Sequence, residues 1–389
     1  MKRLGLLPLI AIAIVAGSLL GFVAPGWCVR IMSTFDAIFA QLLGFLIPLI
    51  IVGFVTPAIA DIGVRAGKLL VVTALLAYGM TVMSGLLSYA TASFCFVDLL
   101  DGSALLAATA EGKAFAPYFT VDMPPLMGVM TALVTSFLLG LGIAFLKGNL
   151  LKHGFDEFRE IISMAIRNVV IPMLPVYIFG IFLNMSAEGQ VGLMIRSFAK
   201  IIGIIFALHV FLLVLQYLIA SIFARKNPFR MLWTMMPAYF TALGTQSSAA
   251  TIPVTLRQTI TMGVREDIAG FVVPLCATIH LSGSTLKIVA CAMAMMIMHG
   301  QPHDFPLFMH FIMMLGITMI AAPGIPGGAI MASVGLLSSI LGFDEQEIAL
   351  MIALYIAMDS FGTACNVTGD GAIAAIVNRL FPPKEPVQA

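Results

Sequence analysis

The sequence predicts an all-α polytopic membrane protein. Three observations carry that prediction. The 389-residue chain is 60% hydrophobic and only 10% charged, with mean hydropathy +1.06. A soluble domain carries about 25% charged residues, so this chain cannot make a water-soluble surface. Apolar runs near the ~20 residues that span a bilayer recur along its length. Basic residues gather in alternate loops, as cytoplasmic loops require. The net charge of +1 leaves no electrostatic footprint for nucleic acid. Cys28, Cys95, Cys276, Cys291 and Cys365 form no CxxC pair and no zinc-ligand spacing. They read as small buried apolar residues.

The elements follow in order. Lys2-Arg3 precedes the apolar run Leu4 to Val23. A signal peptide shares that charge order, but this run is long enough to span and no A-x-A cleavage site follows. It is expected to be a retained first span, with its N-terminus in the cytoplasm. Further spans are expected at about 38–60, 67–93, 126–147, 161–184 and 193–223. The inner loops then hold Arg65, Lys68, Lys147, Lys152, Arg159, Arg167, Arg225, Lys226 and Arg230. The outer ones hold only Arg30, Lys113, Arg196 and Lys200. The stretch from Asp98 to Asp122 reads as a long polar outer loop.

After Arg230 the texture changes. Small and polar residues interrupt four apolar stretches: GTQSSAATIPVT from Gly244, CATIHLSGSTLK from Cys276, AAPGIPGGAIMAS from Ala321 and MDSFGTACNVTGDG from Met358. Irregular backbone survives at membrane depth only where protein or a water-filled cavity satisfies it. Corresponding breaks in two halves point to a transporter's midplane site. The first and third interruptions read as tips of re-entrant helical hairpins. Pro253 is expected in the first turn of an exiting half-helix. Pro323, Gly324, Pro326, Gly327 and Gly328 suit an extended turn.

Asp359, Thr363, Asn366 and Asp370 are spaced four, three and four apart, which puts them on one helical stripe. The two carboxylates are then roughly 16 Å apart along the axis, too far for a catalytic dyad. Each carboxylate at depth costs about 3 kcal/mol or more unless compensated. Asp370, with Asn366 one turn earlier, suits a small hard cation. Asp359, near Thr363, is placed to hold an ammonium group. The alternative is that both are neutral, or paired to a distant basic residue such as Lys287. Ser247-Ser248 at a half-helix start suits a carboxylate, or is an ordinary serine-rich turn. A carboxylate pole with an ammonium pole describes an α-amino acid.

At these residues the chain resembles the dicarboxylate/amino acid:cation symporter family, the glutamate-transporter fold. TQSSAATIPVT, PLCATIHLSGS, GIPGGA and DSFGTACNVTGD carry the resemblance, over roughly residues 230–380. The resemblance implies eight transmembrane helices plus two re-entrant hairpins, a homotrimer and an elevator-type transporter. Residues 1–230 would be mainly scaffold, with the third and sixth helices joining the transport domain. Residues 231–380 would form its core and 381–389 a cytoplasmic tail. Asp359 would bind the substrate amino group, and Asn366 and Ser248 its α-carboxylate. Ser247, Ser284, Gly327, Gly362 and Thr363 complete the expected substrate site. Asn366 and Asp370 would hold sodium with main-chain oxygens near Cys276 and His280. A second sodium would sit on main-chain oxygens around Thr278 and from Met319 through Ile320 to Ala322.

Departures narrow the expectation. Members for acidic substrates carry an Arg where this chain has Gly362, and glycine cannot clamp a side-chain carboxylate. Branches for amine-free dicarboxylates lack the aspartate found at 359. A neutral amino acid is therefore expected, carried with sodium, protons or both. The family's NMDGT reads HLSGS here, with His280 and Ser282, and the third-helix partners of the missing Asp read as apolar around Ala74 to Tyr78. That ion is expected to be lost. His280 either carries a proton or is a neutral imidazole bonded to backbone. Lys287 either acts as a built-in cation or snorkels. An amine-free organic acid is the alternative cargo. An intramembrane protease is disfavoured because His280 and Ser282, two apart, cannot face each other on a helix. A passive channel fits a buried Asp stripe less well than saturable binding does. The short chain without glycosylation-rich loops points to a prokaryotic inner membrane.

Overall fold

The computed structural model describes residues 6–64, 67–100, 115–189, 191–322 and 326–382. All regular structure among these residues is helical. Among the described residues, five helices are long and apolar enough to cross a membrane: Gly26–Ala60, Lys68–Phe96, Leu150–Ala187, Ala199–Ala224 and Glu266–Met298. A sixth arises if Glu345–Ala357 and Asp359–Leu380, bent by 62° at their junction, count as one. Pro8–Gly21, Thr131–Phe145, Phe305–Ile320 and Gly328–Leu341 are shorter apolar helices, and the expected first and fourth spans are among them.

The N-terminal half contains α1 (Leu6–Gly21), α2 (Gly26–Val64), α3 (Lys68–Leu99), α4 (Val129–Phe145), α5 (Leu150–Ala165), α6 (Ile171–Ala187) and α7 (Val191–Ala224). α2 starts well before the expected 38, just after Pro25, which has no N–H to extend a helix backwards. The expected span at 161–184 is part of a longer rod. Amphipathic α5 runs through a π-helical turn, Ile166–Val170, into α6. Pro172 and Pro175 follow that turn, and a π-bulge accommodates the missing N–H groups.

In the C-terminal half every expected interruption is a break between helices. α8 (Pro228–Thr234) leads to α9 (Met236–Thr245) and α10 (Ser248–Thr261). Gln246 between them is left-handed at φ 54°. α11 (Glu266–Ile279) and α12 (Ser282–Met298) are separated by His280 and Leu281, both non-helical. α13 (Phe305–Ile320) and α14 (Gly328–Leu341) flank the second tip, and α15 (Glu345–Ala357) and α16 (Asp359–Leu380) meet at Met358. Asp304 caps α13, and Asp344 forms a capping box with Glu347 on α15, so both helices start where a side chain satisfies free N–H groups. Pro253 lies inside α10, past the first turn that the sequence favoured, so the N–H it lacks removes one internal bond of that helix. Residues 323–325 of the second tip, 101–114 of the polar loop and 383–389 of the expected tail lie outside the described residues.

Packing brings the breaks together. α1 and α2 pack on α6, and α4 and α5 on α2. α3 packs on α12, while α7, α9, α10, α11 and α12 all pack on α16. α14 also touches α2, and α15 touches α6. α16 is therefore the central rod of the C-terminal half. Its polar stripe is buried from Asp359 to Asp370.

Candidate functional site

Each carboxylate of the α16 stripe has a partner from elsewhere in the chain. Asp359, 3% exposed, accepts at Oδ1 from Lys287 Nζ at 2.9 Å. Its Oδ2 accepts from the backbone N–H of Gly327 at 2.8 Å. Gly327 has φ 74°, a left-handed conformation that favours glycine, and it starts α14. One aspartate thus ties a fully buried lysine of α12 to the second hairpin tip. Lys287 Nζ also donates to Tyr355 O at 3.3 Å and lies 3.4 Å from the Tyr355 ring centroid. Cation–π contact and carbonyl together partner an ammonium that sees no water. Gly362 completes this pocket. A Cβ there would lie 2.8 Å from Lys287 Nζ.

Asp370 has a different environment. Its Oδ1 lies 2.9 Å from His280 Nδ1, both groups buried. Gln216 of α7 reaches Ser282 Oγ at 3.0 Å and lies 3.5 Å from His280 Nε2. Gly369 allows this approach, since a Cβ there would meet Gln216 Oε1 at 2.6 Å. Gln216 Oε1 has no hydrogen-bond partner and Tyr217 donates to Thr368 O at 2.7 Å.

Between these centres, Asn366 organises the start of α12. Its Oδ1 accepts from Gly283 N at 2.8 Å and Ser284 N at 3.3 Å. Its Nδ2 donates to Ser284 Oγ, which also accepts from Tyr355 Oη. The first tip closes in from the other side. Gln246 Nε2 donates to Ser360 Oγ at 2.8 Å. Ser247 Oγ caps α10 through Ala250 N, Ser248 is buried at its start, and Thr363 is buried on α16. Ser247, Ser248, Ser284, Gly327, Asp359, Gly362, Thr363 and Asn366 all lie at the tips or on the elements that meet them. Cys276 is buried on α11 and its carbonyl accepts from His280 N at 2.8 Å. Thr278 is exposed and donates to Leu275 O. Met319 and Ile320 end α13, where Met319 O accepts from Ala322 N.

Sequence reasoning missed several groups. The polar partners of α12 on the third helix lie beyond Tyr78. Ser84 donates to Ser282 O at 2.8 Å, Ser88 donates to Leu286 O at 2.7 Å, and the Thr81 hydroxyl is buried without a partner. Reading that segment as apolar around Ala74 to Tyr78 stopped one turn short. On α7, His209 and Gln216 are seven apart in an otherwise apolar run, a same-face spacing that was available as a signal. His209 Nε2 lies 3.0 Å from Gly283 O. Tyr355 carried no sequence signal, because its role depends on the 62° bend that turns it onto Lys287.

A profile of the sodium:dicarboxylate symporter family matches residues 6–380. The chain belongs to that family. Curated relatives include Neutral amino acid transporter B(0) of Bos taurus, 28% identical over 265 residues, which are 67% of this chain and 49% of the relative. Another is Excitatory amino acid transporter 1 of Rattus norvegicus, 32% identical over 245 residues, which are 60% of this chain and 43% of the relative. The matched stretch spans just under half of each relative. The sodium:dicarboxylate symporters are transporters, not enzymes.

Proposed function

We propose that this protein is a secondary active transporter that carries a neutral amino acid together with sodium, protons or both. The observation that carries the reading is the Lys287–Asp359 pair where the second tip meets α16. The pair has no net charge, so it favours a solute whose own charges sum to zero. A zwitterion can open it: the solute ammonium takes Asp359 Oδ1, and the solute carboxylate faces Lys287 and the N-terminal ends of α10 and α12. An acidic side chain adds a negative charge that finds no cation, because the α-carboxylate of the solute already takes the lysine beside Gly362. Printed names of relatives, neutral and excitatory amino acid transporters, favour an amino-acid cargo. The coupling cation is assigned to the oxygens around Asn366 and Asp370, with a second position near Thr278 and Met319 to Ala322.

The mode of transport belongs to the same reading. α1, α2, α4, α5 and α6 serve as the scaffold. α3, α7 and residues 231–380 move as the transport domain, elevator fashion, in a homotrimer of eight spans and two re-entrant hairpins. The N-terminus is cytoplasmic and the membrane is a prokaryotic inner membrane. Once solute has taken Asp359 from the lysine, solute and cation together balance the buried charges, so the loaded domain crosses at low cost. The test is uptake of labelled L-alanine and L-serine into proteoliposomes with an inward sodium gradient, a proton gradient, or neither. Accumulation above the external concentration under one gradient is expected. Equilibration alone under every gradient overturns the reading in favour of a channel. Accumulation of an amine-free acid such as lactate instead moves the cargo to organic acids.

A further inference from the structure

Three groups hold Asp359, and all are part of the chain: the Lys287 ammonium, the Gly327 amide and the helix start on which the aspartate sits. Lys287 is 0% exposed and held by the Tyr355 ring and carbonyl. Gly362 leaves the volume that its head group occupies. We infer that Lys287 is the resident counter-cation of Asp359 whenever no solute holds that carboxylate, and that it lets the carrier cross the membrane without cargo, so that the protein performs net uptake rather than obligatory exchange.

The argument is electrostatic and rests on the reading that solute binds at Asp359. A transport domain that crosses with Asp359 ionised and unpaired carries an uncompensated charge through hydrocarbon, which is strongly unfavourable. Without an internal partner, the return leg must wait for a new solute, and only exchange is fast. Lys287 supplies the missing charge from four flexible carbons away. The same carboxylate holds the Gly327 amide, so the second tip is fastened to α16 by protein groups alone. When a solute ammonium takes Oδ1, the lysine retains Tyr355 O and the ring face.

The test compares the parent protein with Lys287→Met in proteoliposomes. Net uptake of labelled L-alanine into vesicles without internal solute is measured beside exchange against internal unlabelled L-alanine. Exchange is expected to weaken because Lys287 faces the solute carboxylate, but the ratio of net uptake to exchange, each at saturating solute, is expected to fall at least about tenfold further in the variant. An unchanged ratio overturns the inference. A solute-free readout separates it from the proposed cargo. Ser360→Cys, on α16 beside the first tip, in a background with Cys28→Ser and Cys95→Ser, is labelled by an impermeant thiol reagent from either face. Two-sided labelling is expected with Lys287 present and one-sided labelling with Lys287→Met. Two-sided labelling in both overturns the inference, whereas absence of alanine flux in the parent removes only the amino-acid reading. Where Lys287→Met does not fold, Lys287→Met with Asp359→Asn serves. With both charges gone, it labels from both faces, and one-sided labelling sinks the proposal.

Discussion

Asp359 and Asp370 share one stripe of one helix, yet their surroundings differ in kind. Asp359 sits at the helix start, beside a hairpin tip, and its cation is a long flexible side chain with a net charge of its own. Asp370 lies three turns further in, and its partner is an imidazole wedged between α11, α7 and the Gly369 backbone. A lysine head can leave and return without moving its helix. A packed imidazole cannot. The difference teaches that the Asp359 end of the stripe is built for exchange of partners, and the Asp370 end for a fixed cage.

That contrast can be broken at several points. The largest effect is expected at Lys287→Met, which strands Asp359 and lowers stability by about 3–5 kcal/mol, read as a drop in the thermal midpoint in detergent. Adding Asp359→Asn to it should restore much of that loss. If the double variant is no more stable than the single one, the two groups are not the coupled pair described here. Asp370→Asn keeps an acceptor for His280 but removes the charge, for a smaller loss of about 1.5–3 kcal/mol. Its uptake defect should appear in the cation dependence, whereas that of Asp359→Asn should appear in the solute dependence. The same defect in both variants would erase the division of labour.

Gly369→Ala comes next. A Cβ there would lie 2.7 Å from His280 Cε1 as well as against Gln216, so the rigid cage must open, at about 1–3 kcal/mol. Gly362→Ala meets the end of a flexible lysine at 2.8 Å and should be milder, because Lys287 can give way. Equal thermal shifts for the two alanines would contradict the rigid-versus-flexible distinction. The smallest effect is expected at Ser84→Ala, which removes one hydroxyl bond to Ser282 O and costs about 1 kcal/mol.

Much of this site was readable in advance. The stripe spacing of Asp359, Thr363, Asn366 and Asp370 depends only on helix geometry, and α16 is continuous over it. The four interruptions were visible because small and polar residues at membrane depth cannot continue a lipid-facing helix. Gln216, His209, Thr81, Ser84 and Ser88 were overlooked, small same-face polar sets in apolar runs whose meaning depends on which helix faces them. Pro253 was misplaced by part of a turn, since helix starts are set by caps such as Ser247 rather than by the proline.

The sequence by itself determined that the chain is helical and membrane-embedded, that its C-terminal half is broken, and that two carboxylates lie on one buried face. Those properties follow from composition and from spacing along a single helix, and both are local. Only the tertiary structure decided that Lys287 meets Asp359 and that His280 meets Asp370. Those partners are 72 and 90 residues apart in sequence. The pairing is fixed by how α11, α12 and α16 pack and by two glycines that let side chains approach. A buried charge demands a partner, but only packing chooses which one.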